Sequence, residues 1–137
     1  MLRNEMGSEQ GALPIPESGR KRQVLVIDDN KPVRESVSRT LVSLGHQVTL
    51  SSNGFDGGLL FCTRDYDLVI IDLHMPQTKI WQLTGILKTH SPKTPVILVA
   101  EPHEEKSSTN HVEAIIPKPL KLDDIEGTVR RLLSNGK

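Results

Sequence analysis

The stretch DLVIIDLHMP, Asp67 to Pro76, carries four branched apolar residues, Leu68 to Ile71, straight into a carboxylate, Asp72, and then halts at Met75-Pro76. A second apolar run, Val24 to Ile27, ends in the pair Asp28-Asp29, and a lysine, Lys118, stands between Pro117 and Pro119. Carboxylates are hard oxygen donors that suit Mg²⁺, an ion that keeps several waters and takes one or two protein carboxylates together with a phosphoryl oxygen. Each residue also has an ordinary reading. An Asp-Asp pair after a strand is commonly a turn or a helix cap, and Asn30 or Asp29 could cap a helix opening at Pro32. Asp72 alone could be a turn residue, and Lys118 alone a solvated charge. The chemistry therefore depends on whether the chain brings these groups together.

Five short, β-branched runs are too brief for helices: Val24–Ile27, Val48–Leu50, Leu68–Ile71, Val96–Val99 and Ala114–Ile116. Between them lie segments with helical spacing, clearest in Val33, Val37, Leu41 and Leu44, which share one face. Leu44-Gly45 and Thr89-His90-Ser91-Pro92 are plausible helix exits, and Asp123-Asp124 suits the first turn of a last helix, where carboxylates meet the positive end of the dipole. Alternating strands and helices, with near-continuously apolar strands, predict a doubly wound α/β fold around a five-stranded parallel sheet. Right-handed crossovers then set every strand's carboxyl end on one edge, where ligands of such sheets bind. Asp28-Asp29, Asp72, Ala100-Glu101 and Lys118 all fall at that edge. Three carboxylates held together there repel unless a cation or the lysine offsets them, so a metal–phosphoryl site is the natural inference.

Four pieces, VLVIDDN (Val24–Asn30), DLVIIDLHMP, TPVILVA (Thr94–Ala100) and PKPL (Pro117–Leu120), stand in the order and near the spacing of a known family. The chain resembles the receiver domains of two-component response regulators from about Gln23 to its end. The resemblance implies strand order 2-1-3-4-5, Asp72 as phosphoacceptor, Asp28 and Asp29 as an acidic pocket for Mg²⁺, the backbone carbonyl of His74 in the metal shell, and Lys118 as the family's lysine. It further implies a phosphoryl donor that is a sensor histidine kinase, a histidine phosphotransfer protein or a small acyl phosphate. The domain would catalyse its own phosphorylation and dephosphorylation and would not be an enzyme otherwise. The His74 side chain would point outward.

Departures from the family pattern predict an altered output. Ala100 stands where a Ser or Thr hydroxyl is usual, and Ile115 where an aromatic ring is usual, so neither half of the family's two-residue relay is present. The segment between Ala100 and Lys118 is short and polar, which predicts a short, displaced or frayed helix there. Ile80 replaces a usual glycine in the loop after Pro76. Two rival readings follow: a pseudo-receiver that takes no phosphate and acts as an interaction module, and a phosphohydrolase, which would need a second acid where His74 stands.

Bulk properties exclude other classes. A chain of 137 residues, 36% hydrophobic, is one domain's worth of sequence,. Its 17 basic and 17 acidic residues balance, so no global field draws in nucleic acid or a membrane surface,. No apolar run approaches the ~20 residues of a membrane-spanning helix, and Met1 to Arg22 lacks the centre of a secretory signal, which predicts a cytoplasmic protein. Residues 1–22 are expected to be a disordered extension preceding a receiver domain at 23–137, with no length left for a DNA-binding or catalytic output domain. The one cysteine, Cys62, is expected to be a small core residue on a helix. His46, His90, His103 and His111 are read as surface residues, Arg20-Lys21-Arg22 as a solvated linker end, Trp81 as a partner anchor or a cover for the sheet edge, and Gly57-Gly58 as a weakening of the second helix.

Overall fold

The computed structural model describes residues 21–102 and 112–136. Five strands, β1 (Gln23–Ile27), β2 (Gln47–Ser51), β3 (Leu68–Asp72), β4 (Val96–Ala100) and β5 (Ala114–Pro117), alternate with helices α1 (Lys31–Ser43), α2 (Gly54–Thr63), α3 (Ile80–His90) and α4 (Leu122–Gly136). The sheet is parallel throughout, as the alternation of strands and helices predicts, in the order β2-β1-β3-β4-β5 that the resemblance implies. Every side chain of β3 and β4 is buried, because helices cover both faces of the sheet,.

Alternation along each strand sends odd and even residues to opposite faces. Val24, Val26, Leu68, Ile70, Ile97 and Val99 meet Val37 and Leu41 of α1 and Ile125, Val129 and Leu133 of α4. Leu25, Ile27, Val69, Ile71 and Leu98 meet Phe61 of α2 and Ile80, Leu83 and Leu87 of α3. Asn30 caps α1 through its side chain, which accepts from the Val33 amide, and Pro32 sits in the first turn,. At the other end Gly45 adopts φ 96, and the amides of Gly45 and His46 donate to Val42 and Leu41, the bond pair that closes a helix on a left-handed residue,. Asp123 and Asp124 occupy the first turn of α4.

Several single-residue expectations are corrected. Cys62 lies on α2 but is exposed, because Phe61 is the residue that this turn sends to the core. His46 is buried at 9% exposure, since it follows the turn at Gly45 and enters the sheet beside Arg22. Arg22 is no solvated linker end: it is 4% exposed, and its guanidinium donates to the Leu133 carbonyl of α4 at 3.3 Å. Trp81 is half-buried against the core cluster beneath α2 and α3, a covering role. Gly57 has a packing reason, since a Cβ there would lie 2.5 Å from Ile27 Cδ1. Residues 1–20, His103, His111 and the greater part of the β4–β5 crossover, 103–111, lie outside the described residues, and with them the expected extension and the expected short helix. No helix among the described residues is long and apolar enough to cross a membrane.

Candidate functional site

Strand ends at the carboxyl edge build the site. β1 runs into Asp28, whose amide donates to Ser51 of β2 at 3.0 Å and whose carboxylate accepts from the Asn30 amide at 2.9 Å. β3 ends at Asp72, whose Oδ1 accepts from the His74 amide at 3.0 Å. β5 delivers Lys118, whose amide donates to the Ala100 carbonyl at 2.9 Å and whose Nζ lies 3.0 Å from Asp72 Oδ1. The Lys118-Pro119 peptide is cis. Arg34, in the first turn of α1, donates to the Asp28 carbonyl at 2.8 Å and steadies the loop. Its one signal in the sequence is its place on the helix turn that follows the Asp-Asp pair.

Asp28 and Asp72 are buried at 5% and 4% exposure, whereas Asp29 is exposed. One carboxylate oxygen from each of the three lies within 4.8 Å of the others. Burial pushes the Asp28 carboxyl up to about 6; the neighbouring Asp72 charge adds to this, while the Asn30 amide and Lys118 act against it,. Burial alone would lower the Lys118 ammonium, but its hydrogen bond to Asp72 and the charges of Asp72, Glu101 and Asp28 outweigh that and raise it. Lys118 is therefore a fixed cation, and one lysine does not neutralise the three carboxylates. A compact set of hard oxygen donors with uncompensated negative charge fits Mg²⁺.

A pocket of about 570 Å³ opens over these groups, lined also by Asn30, Val33, His74, Val99, Glu101 and Pro119. The sequence-expected residues Asp28, Asp29, Asp72, His74 and Lys118 all line it. Its wall passes from Val99 to Glu101 without Ala100, which is fully buried and offers no hydroxyl. Ile115 is half-buried against the α2–α3 side of the core. The exposed His74 side chain leaves its main chain beside the acidic cluster.

The sheet order and the acidic cluster at its carboxyl edge define a receiver-like α/β domain. The chain belongs to the response regulator receiver domain family, whose sequence model matches residues 24–130. It is 28% identical over 118 residues to the transcriptional regulatory protein CusR of Escherichia coli K12, covering 83% of this chain and 52% of CusR. It is 30% identical over 122 residues to the sensor histidine kinase AtsR of Burkholderia thailandensis, covering 84% of this chain and 20% of AtsR. The chain thus spans about half, or less, of the length of these relatives. Among solved structures, the receiver domain of Francisella response regulator 1452 superposes with a TM-score of 0.77 at 25% identity, over 85% of this chain and 100% of that one. The response regulator protein TrrA of Thermotoga maritima, in complex with Mg²⁺ and BeF, superposes with a TM-score of 0.76 at 25% identity, over 82% of this chain and 99% of that one.

Proposed function

We propose that the chain is a phosphorelay receiver that accepts a phosphoryl group on Asp72 from a histidine kinase, a histidine phosphotransfer protein or a small acyl phosphate. The observation that carries this reading is the meeting of Asp28, Asp29 and Asp72 within 4.8 Å with Lys118 at 3.0 Å from Asp72. A carboxylate attacks phosphorus only where its own charge and that of the phosphoryl group are offset and the nucleophile is held in line. Asp72 is held: β3 is buried along its length and the His74 amide fixes one carboxylate oxygen. Lys118 supplies a fixed positive charge to the phosphoryl oxygens. Asp28, Asp29, Asp72 and the His74 carbonyl would hold Mg²⁺, which supplies further charge neutralisation when bound. An Asp72 oxygen then forms a bond to phosphorus as the donor's bond to phosphorus breaks, leaving an acyl phosphate on Asp72. The likeness to TrrA, whose structure carries Mg²⁺ and BeF, supports this reading.

Intact mass after incubation with Mg²⁺ and acetyl phosphate tests it. A gain of one phosphoryl group in the parent, absent from Asp72→Asn, is expected; no gain from small donors or from a phosphorylated kinase sinks the reading. A second reading has its own support. Ala100 and Ile115 stand at the relay positions, and the absence of a hydroxyl there fits an interaction module indifferent to phosphate. That module would bind its partner equally well with Asp72 intact or replaced by Asn. Where phosphate is taken, the same two residues make the output differ from the family's common relay.

A further inference from the structure

The pocket carries one acidic group beyond the metal-type cluster. Glu101 follows β4 directly and lines the wall with Lys118 and Pro119. It is partly buried, and its charge acts on Lys118. Among the residues lining the pocket, four are carboxylates, Asp28, Asp29, Asp72 and Glu101, and Lys118 is the one fixed cation. Asp28, Asp29 and Asp72 lie on the β1–β3 side, where they meet one another. Glu101 stands on the β4–β5 side, in the same pocket wall as Lys118, the cation that an incoming phosphoryl group needs.

We propose that Glu101 sets donor selectivity, excluding small dianionic phosphodonors from the pocket so that Asp72 is phosphorylated efficiently only when a docked protein delivers the group. This rests on the phosphorelay reading above. Two features give Glu101 its weight. Its negative charge acts on Lys118, the cation that the phosphoryl oxygens need, and the missing hydroxyl at Ala100 removes a donor that would otherwise favour the anion,. A free donor must cross this field unaided. A donor carried on a partner is held there by surface contacts distant from the pocket, which offset the repulsion.

Charge on the donor separates this from a steric effect. Acetyl phosphate is a dianion at neutral pH, and its transfer forms an Asp72 oxygen–phosphorus bond while the phosphorus–oxygen bond breaks and acetate leaves with the electron pair. Phosphoramidate is a monoanion of similar size that already carries its proton on nitrogen, and its phosphorus–nitrogen bond breaks to release ammonia. Glu101→Gln keeps the shape and removes the charge; Glu101→Asp keeps the charge. In Glu101→Gln, phosphorylation by acetyl phosphate is expected to rise about 10-fold at low ionic strength, with a much smaller gain for phosphoramidate and a flatter dependence on salt, because screening weakens such a field. Glu101→Asp should behave as the parent. Inorganic phosphate, followed by amide shifts without any chemistry, should bind more tightly to Glu101→Gln. Equal gains for both donors, or a gain that salt does not diminish, would show that Glu101 does not act through the charge of the donor and overturn the proposal. Unchanged rates in a parent that does take phosphate overturn it too, while a parent and variants that take phosphate from no donor remove the phosphorelay reading and this inference with it.

Discussion

Asp28 is the residue at which stability and function pull apart. Its carboxyl is pushed up to about 6 by burial, with Asp72 adding to the effect. The native state therefore holds a proton that the unfolded chain, with an ordinary value of 3.8, has already released. In metal-free protein the contribution of Asp28 to stability falls as pH rises from about 4 to about 6, and the deficit persists at neutral pH. Asp28→Asn should stabilise the metal-free protein at pH 7 by about 1–3 kcal/mol in urea denaturation, while abolishing most of its response to Mg²⁺. A destabilised variant would show that the carboxylate is a structural cap. At Ala100 the expectation is kinetic. A hydrogen bond to a charged group is worth about 1–3 kcal/mol, so Ala100→Thr should speed phosphorylation by acetyl phosphate at least several-fold. No gain would mean that another group already fills the place. The acidic residues and Lys118 were legible because each ends an apolar run. Glu101 was legible as a strand-end residue but not as a charge acting on Lys118, since how near two strand-end residues come across the sheet has no sequence period.

At the scale of elements, the strands and both boundaries of α1 were readable from β-branched runs, from Asn30 before Pro32, and from Leu44-Gly45. The second helix was readable in place but misread in detail. GFDGGLLFCT has apolar residues on every side, so its pattern could not tell that Phe61 faces the core while Phe55, at 80% exposure, and Leu59 do not,. Its glycines read as weak points, yet Gly57 is where α2 meets the side chain of Ile27 on β1. A Cβ there would lie 2.5 Å from Ile27 Cδ1 and 2.7 Å from Cγ1, too close for the tip of the side chain alone to give way. Gly57→Ala should therefore cost about 1–3 kcal/mol through overpacking, against its better helix propensity. Gly85→Ala on α3, where nothing lies within 4 Å of the added carbon, should instead gain up to about 1 kcal/mol,. Measured urea midpoints moving the same way in both variants would refute the packing account.

Across the whole molecule, the two edges of the sheet carry titrating groups of opposite effect. At the edge away from the acidic pocket, buried His46 has its ring lowered below the ordinary 6.5, first by burial and then by Arg22, with Asp67 opposing and Arg130 adding. Its Nδ1 has no hydrogen-bond partner among the described residues. A histidine kept neutral in the native state contributes stability that is present above 6.5 and lost as pH falls, because the unfolded chain takes up the proton first,. Asp28 does the reverse over an overlapping window, gaining stability as pH falls through about 6,. In metal-free protein the two should partly cancel, leaving a shallow stability profile between about pH 7 and 5. On the proposed reading Mg²⁺ binds the ionised cluster, and it should then stabilise the native state above about pH 6 but progressively less below it. Denaturation midpoints should accordingly separate with and without Mg²⁺ at pH 7.5 and converge near pH 5, and the Mg²⁺ profile should fall more steeply with acid than the metal-free one. His46→Gln should flatten part of that fall without altering Mg²⁺ affinity at pH 7.5, since His46 lies at the opposite edge of the sheet. A Mg²⁺ increment equally large at pH 5 and 7.5 would mean that the raised Asp28 carboxyl is not part of the metal site, and the assignment of the acidic pocket would have to move to Asp29 and Asp72 alone.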